Sequence, residues 1–196
     1  MITLIQKILA AIGFVLLLPL IAISVLLILI EDGFPLFFIQ DRLGKNMKKF
    51  KIYKIRTMHN ETPNLGTHEV STDNYLKTGS FLRKLKIDEL PQILNYLKGD
   101  LNLIGPRPGL PSQSKLKEIR LAKDIFDVKP GITGLSQVLG YDMEDPLTLS
   151  KVDNIYIKKR NIRIDLLIFL ATFIKPLRSV IPALFIDDIV NTNKRK

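Results

Sequence analysis

The feature that most limits how this chain can fold is an uncharged run of 23 residues, 8–30. As a straight helix that run rises roughly 34 Å, against a hydrocarbon core of about 30 Å. One reading is a secretory leader, but no small-residue cleavage pattern follows and the run is long for such a segment. A simple spanning anchor is a second reading, since length is its main criterion. Two features point to a third. Pro19 lies in the middle of the run, where it removes a backbone hydrogen bond and kinks a helix. Basic residues also flank both ends: Lys7 before, and Arg42, Lys45, Lys48, Lys49 and Lys51 after, with Glu31 and Asp32 between. Positive charge on both sides favours both ends being cytoplasmic, which requires the segment to dip into the membrane and return.

The remainder is basic and free of cysteine. The 29 Lys and Arg outweigh 19 Asp and Glu, leaving a net charge of +10. That balance suits nucleic acid, anionic lipid or phosphorylated substrates without choosing among them. Absence of Cys excludes a disulfide framework and thiolate chemistry, and two His, at 59 and 68, argue against a histidine-rich metal site. A chain of 196 residues holds one domain with a real core. Residues 191–196 read as a polar, disordered end.

The chemistry concentrates in residues 79–108. Leu82 and Leu85 recur at helical spacing with Arg83, Lys84 and Lys86 between them. A second stripe, Leu90, Ile93, Leu94 and Leu97, stops at Gly99, which reads as the glycine just past a helix end. Pro91 belongs in the first turn of that second helix, which puts Asp88 near its N-cap and Glu89 just inside. Unpaired N–H groups and the positive helix end there keep a carboxylate ionised and receptive to a bound phosphate. An ordinary acidic cap explains Asp88 and Glu89 equally well when they are taken alone. Arg83 and Arg107 flank them, and Pro106 and Pro108 stiffen the loop that carries Arg107. Two guanidiniums near two carboxylates suit an anionic phosphate ester with a divalent cation.

The run Asp88-Glu89-Leu90-Pro91-Gln92, with Leu-x-Gly-Asp at 97–100 and Gly-Pro-Arg-Pro at 105–108, resembles the bacterial sugar transferases, the monotopic polyprenyl-phosphate phosphoglycosyl transferases. The chain has the size of their small, catalytic-core-only members, and the resemblance covers nearly all of it. Upstream, Gln40-x-Arg42-x-Gly44 and Lys54-Ile55-Arg56-Thr57-Met58 are similar to the block before the family's catalytic helix, and the match sets Arg56 near the substrate phosphates. Downstream, Lys129 to Val138 carries the Pro-Gly-x-Thr-Gly-x-x-Gln signature. Asp153 and Tyr156 fit an Asp-x-x-Tyr element, and Asn161-x-x-x-Asp165 fits the segment after it. Asp153 is a substrate-binding candidate, or else a surface acid pairing with Lys158 or Lys159. Tyr141 departs from the pattern, standing where the family commonly has Arg after Gly140. Residues 60–77 read as a surface loop, and 113–123 as a polar, solvated helix without a motif.

The resemblance implies an α+β, mostly helical fold: a membrane-associated monotopic core with an N-terminal re-entrant helix, a short β-hairpin at 33–58 and interfacial amphipathic helices at 162–186. Residues 1–32 form the helix–break–helix around Pro19, residues 33–190 the catalytic domain on the cytoplasmic face of a bacterial inner membrane, and 191–196 the tail. The implied reaction moves a phospho-sugar from a UDP-sugar to polyprenyl (undecaprenyl) phosphate and releases UMP, opening the assembly of a lipid-linked glycan. Asp88 is the implied nucleophile and forms an aspartyl phospho-sugar. Glu89, with Asp88, holds Mg²⁺, while Arg56, Arg83, Arg107 and Asp153 handle the substrate phosphates. Expected partners are the two substrates and membrane lipids, with a homodimer possible and no nucleic acid. A membrane-anchored basic module that binds anionic lipid or nucleic acid is the alternative. It accounts for the charge and the anchor, but not for Asp88-Glu89 beside Gly-Pro-Arg-Pro, and no helix-turn-helix, zinc or stacking-aromatic signature accompanies it.

Overall fold

The structure is a computed structural model that describes residues 4–63, 70–182 and 185. The tail expected at 191–196, His68 and the last residue of the expected interfacial helices, Ile186, lie outside the described residues. By packing, the chain divides into two compact units: Met1–Asp41 with Phe50–Asp100, and Arg42–Lys49 with Leu101–Lys196.

The first unit is built on the apolar run. It forms a single helix, α1 (Leu4–Asp32), whose helical assignment continues through Pro19. Pro19 has no N–H for the carbonyl four residues back. Ser24 Oγ donates to the Leu20 carbonyl at 2.8 Å, a back-bond that bends helices. The two halves of α1 differ in burial. Leu4, Ile5, Leu9 and Leu16 are exposed, whereas Ile21, Ser24 and Ile28 are buried at helical spacing. That buried face packs with Ile55, Leu76, Leu82 and Ile87.

Strands β1 (Phe37–Leu43) and β2 (Lys49–Ile55) pair in a two-stranded sheet. Their connection is a 3₁₀ turn, Lys45–Met47, in which Asn46 and Met47 take left-handed φ of 53° and 58°. The segment after β2 is tied down at its ends: Met58 bridges Tyr75, and His59 N–H donates to the Asn74 carbonyl at 2.9 Å. Helices α2 (Lys77–Lys84) and α3 (Gln92–Lys98) follow. Gly99 ends α3 at φ 87°, the left-handed position the sequence pattern signals. Asn95, fully buried on α3, donates to the Lys51 carbonyl at 2.7 Å and accepts from the Tyr53 N–H at 3.2 Å, locking α3 to β2.

In the second unit, β3 (Asn102–Ile104) runs parallel to β4 (Gly131–Thr133), with Asn102 opposite Gly131 and Ile104 opposite Thr133. A Cβ on Gly131 would sit 2.1 Å from the Gly105 nitrogen, and one on Gly134 would sit 2.1 Å from the Gly105 oxygen. The Pro-Gly-x-Thr-Gly motif is therefore a surface on which the backbone leading into Gly-Pro-Arg-Pro lies flat. Helices α4 (Ser114–Leu121), α5 (Leu135–Val138), α6 (Pro146–Lys159) and α7 (Ile162–Phe173) complete the unit. Asp145 caps α6 ahead of Pro146, and Asn161 caps α7 through the N–H groups of Arg163 and Ile164. Ile104, Leu135, Val152, Tyr156, Ile168 and Ala171 form the core. The opposite side of α7 exposes Ile162, Leu166, Phe169 and Phe173. Helix α4 departs from the solvated helix expected, because Leu116 and Arg120, four residues apart, both face inward and are buried.

Candidate active site

Asp88 and Glu89 do not cap α3. Helix α2 ends at Lys84, Lys86 turns left-handed at φ 60°, and a 3₁₀ turn, Ile87–Glu89, carries both acids. Pro91 is the residue ahead of α3, and no side chain caps that helix. A left-handed lysine costs roughly 1–2 kcal/mol. Here Ile87, buried with Leu82 and Ile55, holds the turn in place. Because Ile87 points into the core, its neighbour Asp88 is drawn in as well, with 4% of its surface exposed.

That burial reverses one electrostatic expectation. Loss of water pushes the Asp88 carboxyl above its usual range. The Lys54, Arg83 and Lys86 charges pull it back, and Glu89 pushes it further up. Asp88 is therefore a more basic carboxylate than an exposed helix cap would be. Lys54 Nζ donates to Glu89 Oε1 at 2.8 Å, both side chains mostly buried. Arg83 Nη1 donates to Thr57 Oγ1 at 3.2 Å, and its guanidinium lies 4.8 Å from the Tyr75 ring centroid. The first unit thus gathers two carboxylates, Lys54 and Arg83. Lys54 was not singled out from the sequence. The signal for it was its place near the end of β2, two residues before Arg56.

Arg56 is held elsewhere in the same unit, at the C-terminal end of α1. Its guanidinium donates to the Asp32 carboxylate, to the Pro35 carbonyl, and to the carbonyls of Asp32 (3.2 Å), Gly33 (2.7 Å) and Met58 (3.2 Å). Those bonds use every N–H a guanidinium has. The neighbouring Glu31 carboxylate accepts from the Lys77 and Thr78 N–H groups at 2.7 and 2.9 Å, capping α2.

In the second unit, each of residues 105–109 has one backbone group held by a hydrogen bond. Gly105 N–H donates to Thr133 O at 2.9 Å, and Pro106 O accepts from Gly131 N–H at 2.9 Å. Arg107 O accepts from Arg120 Nη1 at 2.7 Å, Pro108 O from Arg42 Nη1 at 3.1 Å, and Gly109 O from Leu43 N–H at 3.0 Å. Asp153 is not a surface acid paired with Lys158 or Lys159. It is 1% exposed, accepts from Arg120 Nη2 at 2.7 Å and from Ser136 Oγ at 2.8 Å, and burial raises its carboxyl against the pull of Arg120. Tyr156 OH donates to Asp165 at 2.7 Å, joining the two C-terminal motif segments. Tyr141 packs at the edge of the core, beside Leu116, Met143 and Leu149.

Among the described residues, no three His, Cys, Asp or Glu side chains gather as a metal-ligand group. That is compatible with Mg²⁺, which is commonly held by one or two carboxylates plus substrate phosphates. Adjacent Asp88 and Glu89 are such a donor set, both all-oxygen and both within the first unit.

Comparison with known proteins bears on what this arrangement does. The chain matches the bacterial sugar transferase family over residues 1–179. It is 39% identical over 156 residues to the uncharacterized sugar transferase EpsL of Bacillus subtilis, a match covering 80% of this chain and 77% of that one. It is 38% identical over 170 residues to the UDP-N-acetylgalactosamine-undecaprenyl-phosphate N-acetylgalactosaminephosphotransferase of Aeromonas hydrophila, covering 79% of this chain and 38% of that protein. Identity is 37% over 126 residues to the UDP-glucose:undecaprenyl-phosphate glucose-1-phosphate transferase of Caulobacter vibrioides, covering 62% and 47%. The chain spans less than half of the last two and most of the first. With the match running through α1, the acidic turn and the Gly-Pro-Arg-Pro loop alike, the chain belongs to the bacterial sugar transferase family.

Proposed function

We propose that this enzyme transfers a sugar 1-phosphate from a UDP-sugar to polyprenyl phosphate, undecaprenyl phosphate in particular, through a covalent bond to Asp88. The observation that carries the reading is the buried, basic Asp88 carboxylate beside the Lys54–Glu89 pair. The names of the Aeromonas and Caulobacter relatives supply the substrate classes. In the first step an Asp88 oxygen attacks the β-phosphorus; the bond from that phosphorus to the bridging oxygen breaks, and UMP leaves with that oxygen. In the second, a phosphate oxygen of the polyprenyl phosphate attacks the same phosphorus. The Asp88–phosphorus bond breaks, the carboxylate is restored, and a polyprenyl diphospho-sugar departs.

Glu89 and Asp88 would hold Mg²⁺, which when bound would offset charge on the pyrophosphate. Lys54 donates to Glu89 and, with Arg83, lowers the cost of bringing phosphate anions to a buried carboxylate. Arg107 is assigned to the phosphates as well. Arg56, with every donor engaged, is assigned to anchoring α1. Asp153 acts from within the core through Arg120.

For α1 the proposal is a re-entrant segment with both ends on the cytoplasmic face of the bacterial inner membrane. Pro19 and the Ser24 back-bond to the Leu20 carbonyl supply the bend this requires, and the exposed apolar residues Leu4, Ile5, Leu9 and Leu16 supply the surface that meets lipid. The exposed apolar side of α7 would lie at a membrane interface.

The test is a UDP-sugar radiolabelled at the β-phosphate, given to the full chain with Mg²⁺ and no lipid. The expected result is UMP release of up to one equivalent, with label on the peptide containing Asp88 that is discharged by undecaprenyl phosphate. Lack of labelled peptide, with UMP formed only after lipid is added, would replace the covalent route with direct attack by the lipid phosphate.

A further inference from the structure

Arg120 is buried on α4, 2% exposed. It makes an ion pair with Asp153 through Nη2, and Ser136 Oγ holds the other Asp153 oxygen. Buried ion pairs of this kind add little stability compared with apolar packing of the same volume. This one also leaves Arg120 Nε buried with no hydrogen-bond partner among the described residues, a cost that stability alone does not explain. What the cluster does accomplish is specific. Arg120 Nη1 reaches a single backbone atom, the Arg107 carbonyl, at 2.7 Å. Arg107 stands between Pro106 and Pro108, which have no N–H to fix the loop from within. The neighbouring carbonyls are held from β4 and from residues 42–43, and the carbonyl of the arginine itself is held by Arg120.

We propose that Arg120 is a positioning residue for Arg107: the Ser136–Asp153–Arg120 chain fixes the Arg107 carbonyl and thereby aims the Arg107 side chain at the substrate phosphates. The proposal rests on the phosphate-handling role given to Arg107 above. Asp153 in this scheme is neither a base nor a metal ligand. Its charge orients one guanidinium edge, which leaves the other edge for the loop.

The test is a double-mutant cycle on the full chain, reading kcat/KM for UMP release with the UDP-sugar that supports turnover, together with thermal stability. Arg120→Gln should lower kcat/KM about 10- to 100-fold in the presence of Arg107, as misaiming of a charge-stabilising group does. In an Arg107→Ala background the same change should cost about twofold or less, because its effect passes through Arg107. Ser136→Ala, which removes one bond and little volume, should show the same pattern at about threefold and carries the test if Arg120→Gln does not fold. Equal fold-losses in both backgrounds would overturn the proposal and leave the cluster as core structure. If the unaltered protein releases no UMP from any UDP-sugar, the functional reading fails separately. Amide exchange in the peptide spanning residues 105–109 then decides: faster exchange there in Ser136→Ala, at unchanged global stability, supports the positioning, and unchanged exchange overturns it.

Discussion

Arg56→Lys separates two roles that the same residue could play. As a phosphate contact, Arg56 would tolerate lysine in part, since charge survives. As the anchor of α1 it would not. The guanidinium makes five hydrogen bonds, to one carboxylate and four carbonyls, and a lysine ammonium offers three donors from one point. At least two part-buried acceptors lose their donor. At about 1 kcal/mol for each neutral bond, and more for the one to Asp32, the expected cost is about 3 kcal/mol. For a chain of this size that corresponds to a Tm lower by about 6–12 °C. The measurement is thermal unfolding of the purified protein in one fixed detergent, beside kcat and KM for the UDP-sugar. Asp32→Asn should destabilise in the same direction, and the double variant should lose less than the sum, because the two positions share one interaction. A Tm within about 1 °C of the unaltered protein, with KM for the UDP-sugar raised, would refute the anchor and return Arg56 to the phosphates.

Asp88→Asn should abolish turnover, by about three orders of magnitude or more, and yet raise stability near neutral pH by about 1 kcal/mol. The sign follows from burial: the folded-state pKa lies above the unfolded one, so the folded protein binds the proton more tightly and is penalised once pH rises through the folded-state value. The gain should shrink as pH falls and the native carboxyl becomes neutral; a variant less stable than its parent at pH 7 would contradict this. For α1, single cysteines at Leu4 and Lys45, introduced into a chain that has none of its own, should both resist a membrane-impermeant thiol reagent applied from outside intact cells. Labelling at position 4 alone would mean that the helix spans.

The elements that local chemistry specifies were legible before any coordinates. The uncharged run and the stop at Gly99 each rest on neighbours in sequence. The acidic turn was misplaced by three residues because a left-handed Lys86, unlike Gly99, carries no signature of its own. Its burial depends on Ile87 meeting α1 and β2, contacts between residues far apart in the chain. The same reason hid Arg120: on a helix reading Ser-Lys-Leu-Lys-Glu-Ile-Arg-Leu it resembles any solvated cation. Only its spacing of four from Leu116 hinted that it turns inward. Asp153 could be named but not placed, since its partner lies 33 residues earlier.

The acidic end of α1 also bears on what can be cut or exchanged. Glu31 supplies the cap of α2, the helix that carries Arg83, and Asp32 supplies the carboxylate that Arg56 grips. A version of the enzyme trimmed to begin at Gly33 would strip the Lys77 and Thr78 amides of their acceptor and leave the Arg56 guanidinium without its carboxylate. Grafting the remaining residues onto a foreign lipid anchor would restore attachment without restoring either contact. In this protein the end of the greasy segment is also a structural contact, and removing the segment takes the acceptor of two α2 amides and the Arg56 carboxylate with it.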